Sequence, residues 1–169
     1  MQVFSEKRDT WKENYIEQII LENYNRYYQL AYSYVHNEAD ASDIVQNGAY
    51  RALRSSHTLQ NKEYAKTWLY RIMLNEIFRY LKQPKFMSYE VLQEEQEKDI
   101  KYVEDSYSNV DLQRALDLLS MQDKAVIIMK YFEDKKLEEI ADILNENVNT
   151  VKSRLYRGMK KLRMKLSDE

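Results

Sequence analysis

Hydrophobic side chains recur at steps of three and four residues along the first half of the chain, a spacing that predicts amphipathic α-helices. The first such stretch covers residues 13–35. A second helix is predicted to begin at Asp40, whose carboxylate could accept hydrogen bonds from backbone N–H groups of the first turn. A third is predicted from Tyr64 to Leu81, and Pro84 stops it because a proline cannot continue a helix.

The same spacing resumes near Val110, and a further helix is predicted to open at Gln122 or Asp123. A short helix is then predicted over residues 137–144, and a longer one over residues 148–166.

A polar break of three residues, Asn145-Glu146-Asn147, separates these last two helices. Asn147 is a residue type that caps helix N-termini, so it is expected to open the longer helix. A short helix, a tight turn and a longer helix form the pattern of a helix-turn-helix. One face of the longer helix, with Val148, Val151 and Leu155, is expected to anchor it.

The composition agrees with an all-α fold. The 169 residues include two Gly, one Pro and no Cys, so the turn residues that sheets and phosphate-binding loops need are scarce. Without cysteine there is no disulfide, no thiolate nucleophile and no Cys-based zinc site, and with no nucleophile motif an enzyme is disfavoured. We expect no metal and no cofactor. The longest apolar run, Ala125–Met129, is too short to span a bilayer, and the N-terminus lacks a signal-peptide core, so we expect a cytoplasmic protein without membrane insertion.

Charge is strongly segregated along the chain. Residues 89–110 carry two basic and seven acidic side chains, whereas residues 147–166 carry seven basic and no acidic ones. The segment 85–109 also lacks periodicity, so we predict two small helical domains, 1–84 and 110–169, joined by a flexible acidic linker. A helix with seven positive charges on an otherwise acidic protein indicates a localised site for a polyanion.

Two sequence stretches resemble one family. Residues 137–144 followed by the run NTVKSRLYRGMKKL at 149–162 resemble domain 4 of bacterial extracytoplasmic-function (ECF) sigma factors. The run DIVQ at 43–46, with TWLYRI at 67–72 and Asn75, resembles domain 2 of the same family. The resemblance covers residues 14–84 and 110–166. It implies a protein that binds core RNA polymerase and directs promoter-specific initiation, with domain 2 capturing the melted −10 element and domain 4 reading the −35 element as duplex.

The resemblance also implies roles for individual residues. The residues implied to contact core polymerase are Asp43, Gln46, Tyr50 and Arg54. Those implied to contact −10 DNA are His57, Asn61, Tyr64, Arg71, Asn75 and Arg79. Those implied to contact −35 DNA are Asn149, Lys152, Ser153, Arg154, Tyr156, Arg157 and Lys160.

Two positions of the helix-turn-helix depart from the family pattern. Asn145 stands where a glycine is usual, and because asparagine tolerates a left-handed backbone, the turn is expected to survive. Lys136 stands where a serine cap is common, so the first helix of the motif is expected to start less cleanly.

The resemblance implies three partners: core RNA polymerase, promoter DNA and an anti-sigma factor, which in this family is often anchored in the membrane. A stand-alone helix-turn-helix regulator would explain residues 110–166 but not the first block. A helical adaptor would leave the basic helix unexplained. We also hypothesise that the acidic linker lies against the basic helix in the free protein and lowers its affinity for DNA.

Overall fold

The computed structural model describes residues 10–84 and 107–167. The chain divides into two compact units at residues 82 and 83. The predicted all-α fold is confirmed, since the described parts of both units are helical and contain no strand. The predicted linker, and the contact hypothesised between it and the basic helix, lie almost wholly outside the described residues.

Residues 10–82, the described part of the first unit, contain three helices, α1 (Thr10–Val35), α2 (Glu38–Arg54) and α3 (Ala65–Leu81). Two 3-10 turns, Ser56–Thr58 and Lys62–Tyr64, connect α2 to α3. The three helices share a core because each presents an apolar stripe to the others. Its most deeply buried large side chains are Ile16, Val35, Ile44, Val45, Leu59, Leu69, Met73, Leu74 and Ile77.

The start of α2 differs from the prediction. Asn37 precedes the helix in an extended conformation (φ −143°, ψ 126°), and its Oδ1 accepts a hydrogen bond from the N–H of Asp40 at 2.9 Å. Asn37 is therefore the N-cap, and the prediction that the helix begins at Asp40 is wrong by two residues. Asp40 lies in the first turn together with Glu38, where a carboxylate interacts favourably with the helix dipole.

The second unit contains α4 (Tyr107–Asp117), α5 (Met121–Ile127), α6 (Leu137–Leu144) and α7 (Val148–Ser167). A π-helical turn, Ile128–Phe132, continues α5. Apolar side chains of α4, α5 and α7 pack together in a cluster formed by Ala115, Leu116, Leu119, Ile127 and Leu162, with Leu112, Leu155 and Met159 against it.

The start of α5 also differs from the prediction. Ser120 caps this helix, because its hydroxyl accepts from the N–H of Asp123 at 3.2 Å. The predicted opening at Gln122 or Asp123 is therefore wrong by one or two residues.

The turn between α6 and α7 has the predicted form. Asn145 adopts the left-handed conformation (φ 52°, ψ 45°), and the N–H of Glu146 donates to the carbonyl of Ala141 at 3.0 Å. This is the hydrogen bond of a Schellman motif. Asn147 then accepts from the N–H of Asn149 at 2.8 Å, which confirms it as the cap of α7. Lys136 makes no side-chain capping bond at the start of α6, as expected.

Candidate nucleic-acid and polymerase interface

Helix α7 has a buried side and a polar side. Val151 and Leu162 are buried, and Leu155 packs against the cluster of α4 and α5. The other side exposes six of the seven side chains predicted to read duplex DNA, and Tyr156 is 75% exposed. These six are Asn149, Lys152, Ser153, Tyr156, Arg157 and Lys160.

The exposed side of α7 carries groups that suit nucleic acid. The Ser153 hydroxyl donates to the carbonyl of Asn149 at 3.0 Å, which leaves its lone pairs as acceptors. Lys152 supplies a cation near the N-terminus of α7, where the first backbone N–H groups have no partner within the helix itself. Cations, amides and hydroxyls at a helix N-terminus suit both phosphates and base edges.

The two arginines of the same helix are held differently. Arg157 donates to both oxygens of Asp123, from Nε to Oδ2 at 2.7 Å and from Nη2 to Oδ1 at 2.9 Å. Arg154 donates to both oxygens of Glu146, at 2.8 and 2.9 Å, and from Nη1 to Oδ1 of Asp123 at 3.2 Å. Both arginines, which the sequence assigns to −35 DNA, thus direct guanidinium donors at carboxylates of their own domain.

The Asp123 carboxylate lies under α7 and is only 1% exposed. Burial alone would raise its pKa, but the hydrogen bonds from Arg157 and Arg154 hold the pKa below its ordinary value. Asp123 is therefore charged at neutral pH, and its charge is paired with the two guanidinium groups.

In the first unit, the four residues assigned to core polymerase lie on α2. Asp43, Gln46, Tyr50 and Arg54 are all exposed, and Tyr50 is 63% exposed. Their spacing of three and four residues puts them on one side of the helix. Arg54 Nη1 lies 3.5 Å from the hydroxyl of Tyr50, so the end of this side is polar and cationic.

Four of the six residues assigned to −10 DNA lie on α3 or directly before it: Tyr64, Arg71, Asn75 and Arg79. Tyr64 and Arg71 lie together, since Arg71 Nη2 donates to the Tyr64 hydroxyl at 2.7 Å and its guanidinium lies 5.8 Å from the ring centroid. Arg71, Asn75 and Arg79 follow one another at four-residue steps along α3, and Arg79 Nη1 lies 3.5 Å from Oε2 of Glu76.

The remaining two residues of this set, His57 and Asn61, belong to the turns before α3. Both are exposed. Asn61 also caps the second turn, because its Oδ1 accepts from the N–H of Glu63 at 3.0 Å. The structure therefore gives Asn61 a local structural role beside the role that the sequence assigns.

Over residues 10–84 and 107–167, no cluster of three or more His, Asp or Glu side chains is arranged to hold a metal ion. None of the helices in those ranges combines the length and the apolar character needed to cross a bilayer.

The chain matches known proteins along both units. Residues 19–85 match the family model for Sigma-70 region 2, and residues 109–162 match the model for Sigma-70, region 4. RNA polymerase sigma factor SigV of Bacillus subtilis (strain 168) is 44% identical over 144 residues, which cover 85% of this chain and 86% of that protein. ECF RNA polymerase sigma factor SigW of the same organism is 31% identical over 158 residues, covering 85% and 84%.

The chain belongs to the ECF sigma factors. It is an alternative sigma factor, a protein that directs promoter-specific transcription. Sigma factors are transcription initiation factors and are not themselves catalysts.

Two solved structures show the same fold as this sigma factor. The sigma factor RpoE, in complex with the anti-sigma factor NepR from Bartonella quintana, aligns with a TM-score of 0.69 and 23% identity over 89% of this chain and 96% of that one. CnrH, in complex with the cytosolic domain of CnrY, aligns with a TM-score of 0.68 and 21% identity over 91% and 88%.

Asp123 and Glu146 were not predicted to be functional residues of this sigma factor. The sequence predicts Asp123 only as a possible helix opener and Glu146 only as part of a polar break. A usable signal was present, because Asp123 lies two residues before the apolar run Ala125–Met129, and an acidic side chain that is buried needs a cationic partner. The identity of that partner, 34 residues further along, required the fold.

Proposed function

We propose that α7 is the helix with which this sigma factor reads the −35 element as duplex. The observation that carries the proposal is the placement of five polar or cationic side chains on the exposed side of a well-capped helix at the end of a helix-turn-helix. Asn149, Lys152, Ser153, Tyr156 and Lys160 then face DNA. Arg154 and Arg157 act chiefly by fixing the position of α7.

The first unit is proposed to bind core polymerase and to capture the melted −10 element. The exposed side of α2 that carries Asp43, Gln46, Tyr50 and Arg54 supports the first role. The second role is supported by Tyr64 with Arg71, an aromatic ring and a guanidinium in contact, because unstacked bases bind by stacking and by hydrogen bonds to their edges. His57, Asn61, Asn75 and Arg79 complete the set proposed for this element.

The location, the chemistry and a further partner of the protein belong to the same proposal. The protein acts in the cytoplasm, where RNA polymerase and promoter DNA are found. It works without catalysing a reaction of its own and without a metal or cofactor. An anti-sigma factor is proposed as a partner, supported by the fold shared with two sigma factors whose structures contain NepR and the cytosolic domain of CnrY.

The test is reconstitution of transcription. The purified full chain is mixed with core RNA polymerase and a promoter library, and transcript starts are sequenced. The proposal predicts starts downstream of a shared two-part motif that are absent with core alone. If the chain binds duplex DNA but neither associates with core nor produces starts, a stand-alone regulator is the correct interpretation.

Substitutions test the proposed polymerase-binding side of α2 and the proposed DNA-binding side of α7 separately. Asp43→Ala with Gln46→Ala is expected to weaken association with core, measured by gel filtration or anisotropy, while duplex binding by the free chain is retained. Lys152→Ala is expected to retain association with core and lose starts at promoters with the −35 motif. Lys161→Ala removes the same charge from the same helix, about 180° around its axis from Lys152 at 100° per residue, and is the matched control.

A further inference from the structure

A buried carboxylate pairs with two of the seven cations of the basic helix. Asp123 is 1% exposed, and each of its oxygens accepts from a guanidinium of α7: Oδ2 from Arg157, and Oδ1 from both Arg157 and Arg154. The bond from the N–H of Asp123 to the Ser120 hydroxyl fixes the backbone of Asp123 at the start of α5. The carboxylate is therefore held by α5 and directed towards α7.

Glu146 completes the arrangement from the turn before α7. The left-handed residue Asn145 places Glu146 so that its carboxylate accepts from Nε and Nη2 of Arg154. The Arg154 side chain is 21% exposed and that of Arg157 is 53% exposed. Two carboxylates thus compensate two guanidinium charges on the flank of α7, while the lysines of the helix stay exposed.

Compensated charges contribute less to non-specific DNA binding. Affinity for any DNA sequence rises with the number of phosphates that a protein neutralises, because each contact releases counterions. A guanidinium whose donors already bind a carboxylate must give up those bonds before it can neutralise a phosphate. Base readout depends instead on side chains at the exposed side of the helix.

We propose that Asp123, assisted by Glu146, is a positioning residue that sets the sequence selectivity of this sigma factor. By holding Arg157 and Arg154 against the domain, it withholds two cations from indiscriminate phosphate binding and fixes α7 in the orientation that presents Lys152 and Tyr156. This inference rests on the proposed role of α7 in duplex binding.

The experiment measures the salt dependence of DNA binding with Asp123→Asn. Fluorescence anisotropy gives the affinity of the full chain for a promoter duplex from the library and for a scrambled duplex of equal length, at several salt concentrations. Freeing one guanidinium should steepen the slope of log affinity against log salt by about 0.9 on the scrambled duplex. The preference for the promoter duplex should fall several-fold. An unchanged or shallower slope, with equal loss on both duplexes, would show that Asp123 only stabilises the fold and would overturn the proposal.

Two further variants keep the test decisive. Glu146→Gln alters a more exposed carboxylate and leaves Asp123, at 3.2 Å, as the only charged partner of Arg154 among the described residues, so the slope should also steepen even if Asp123→Asn folds poorly by circular dichroism. The double variant Asp123→Asn/Arg157→Gln should return the slope towards the wild-type value, because the released cation is gone. A slope that stays steep in the double variant contradicts the proposal.

A parallel measurement distinguishes failure of the inference from failure of the proposed function. Lys152→Gln should make the slope on the scrambled duplex shallower if α7 faces DNA. If neither Lys152→Gln nor the Asp123 variants change the slope, α7 is not the DNA-binding helix. The role given to Asp123 is then wrong as well, because it depends on that assignment. If only Lys152→Gln changes the slope, α7 faces DNA and the role given to Asp123 is wrong.

Discussion

Gly158 of α7 lies so close to Ile127 of α5 that a Cβ atom on Gly158 would stand 3.1 Å from Cγ1 and 3.2 Å from Cδ1 of the isoleucine. Glycine inside a helix costs about 1 kcal/mol relative to alanine. Here the missing side chain lets α7 approach α5, and that approach brings Arg157 within reach of Asp123. The glycine is therefore explained by packing, since its φ lies in the ordinary helical region.

Replacing Gly158 with valine should destabilise the second unit. The two added methyl groups have no room against Ile127, and overpacking of this kind costs about 1–3 kcal/mol. Thermal or urea unfolding of the full chain, followed by circular dichroism, measures the loss. Lys160→Val places the same residue type at an exposed position of the same helix and should cost less than about 0.7 kcal/mol, the range of helix propensity. Equal losses in the two variants would mean that contact with Ile127 does not matter.

The left-handed backbone of Asn145 gives a second prediction. Asn145→Ala should lower the free energy of unfolding by about 1 kcal/mol, since the short polar side chain of asparagine tolerates the left-handed conformation better than the methyl group of alanine does. Asn145→Gly should stabilise the protein or leave it unchanged, because glycine adopts positive φ without penalty. Urea unfolding compares the two variants directly, since both replace the same exposed residue. A glycine variant less stable than the alanine variant would refute the assignment of the turn.

Lys124 gives a third prediction, which concerns pH. Its side chain is 4% exposed, and burial lowers its pKa, an effect that Asp117 at 2.7 Å from Nζ offsets only in part. A lysine whose folded pKa lies below the unfolded value destabilises the folded state while it is charged. Lys124→Met should therefore raise the melting temperature at pH 7. The gain should shrink as the pH rises from the lowered pKa of folded Lys124 to the ordinary lysine pKa of about 10.4, because the folded state loses the proton first and the unfolded state loses it at the ordinary value.

The matched control for Lys124 removes the partner instead. Asp117→Asn leaves the buried ammonium without that carboxylate, so the melting temperature at pH 7 should fall. If Lys124→Met also lowers the melting temperature, the ion pair contributes more than its burial costs, and the sign assigned here is wrong.

The helix-turn-helix was predictable in detail because its signals are local. The bounds of α6, the start of α7, the cap at Asn147 and the turn at Asn145 depend on residues within a few positions of one another. The starts of α2 and α5 were missed because two capping residue types stand three positions apart in each place, Asn37 and Asp40 at the start of α2 and Ser120 and Asp123 at the start of α5. The residue that caps each helix is the one whose backbone has the extended conformation of an N-cap, as that of Asn37 has.

The candidate site was predictable only in part for a different reason. A helical period identifies which side chains lie on one face, so the exposed side of α7 could be read from spacing. It does not identify what packs against the flank of that helix. The assignment of Arg157 to −35 DNA stays a prediction. Its pairing with Asp123, 34 residues earlier in sequence, could not be read from spacing because it depends on the packing of α5 on α7.

The last prediction concerns how Lys152 contacts DNA. If its ammonium donates to a base, Lys152→Ala should weaken binding to the promoter duplex by about 1–3 kcal/mol and relax the preference at one or two adjacent base pairs. If it contacts only phosphate, the variant should lose affinity equally on every sequence. A library of −35 duplexes selected by the wild type and by the variant distinguishes the two. Because Lys152 lies one turn from the capped start of α7, where helix-turn-helix proteins contact base edges, we expect the relaxed preference.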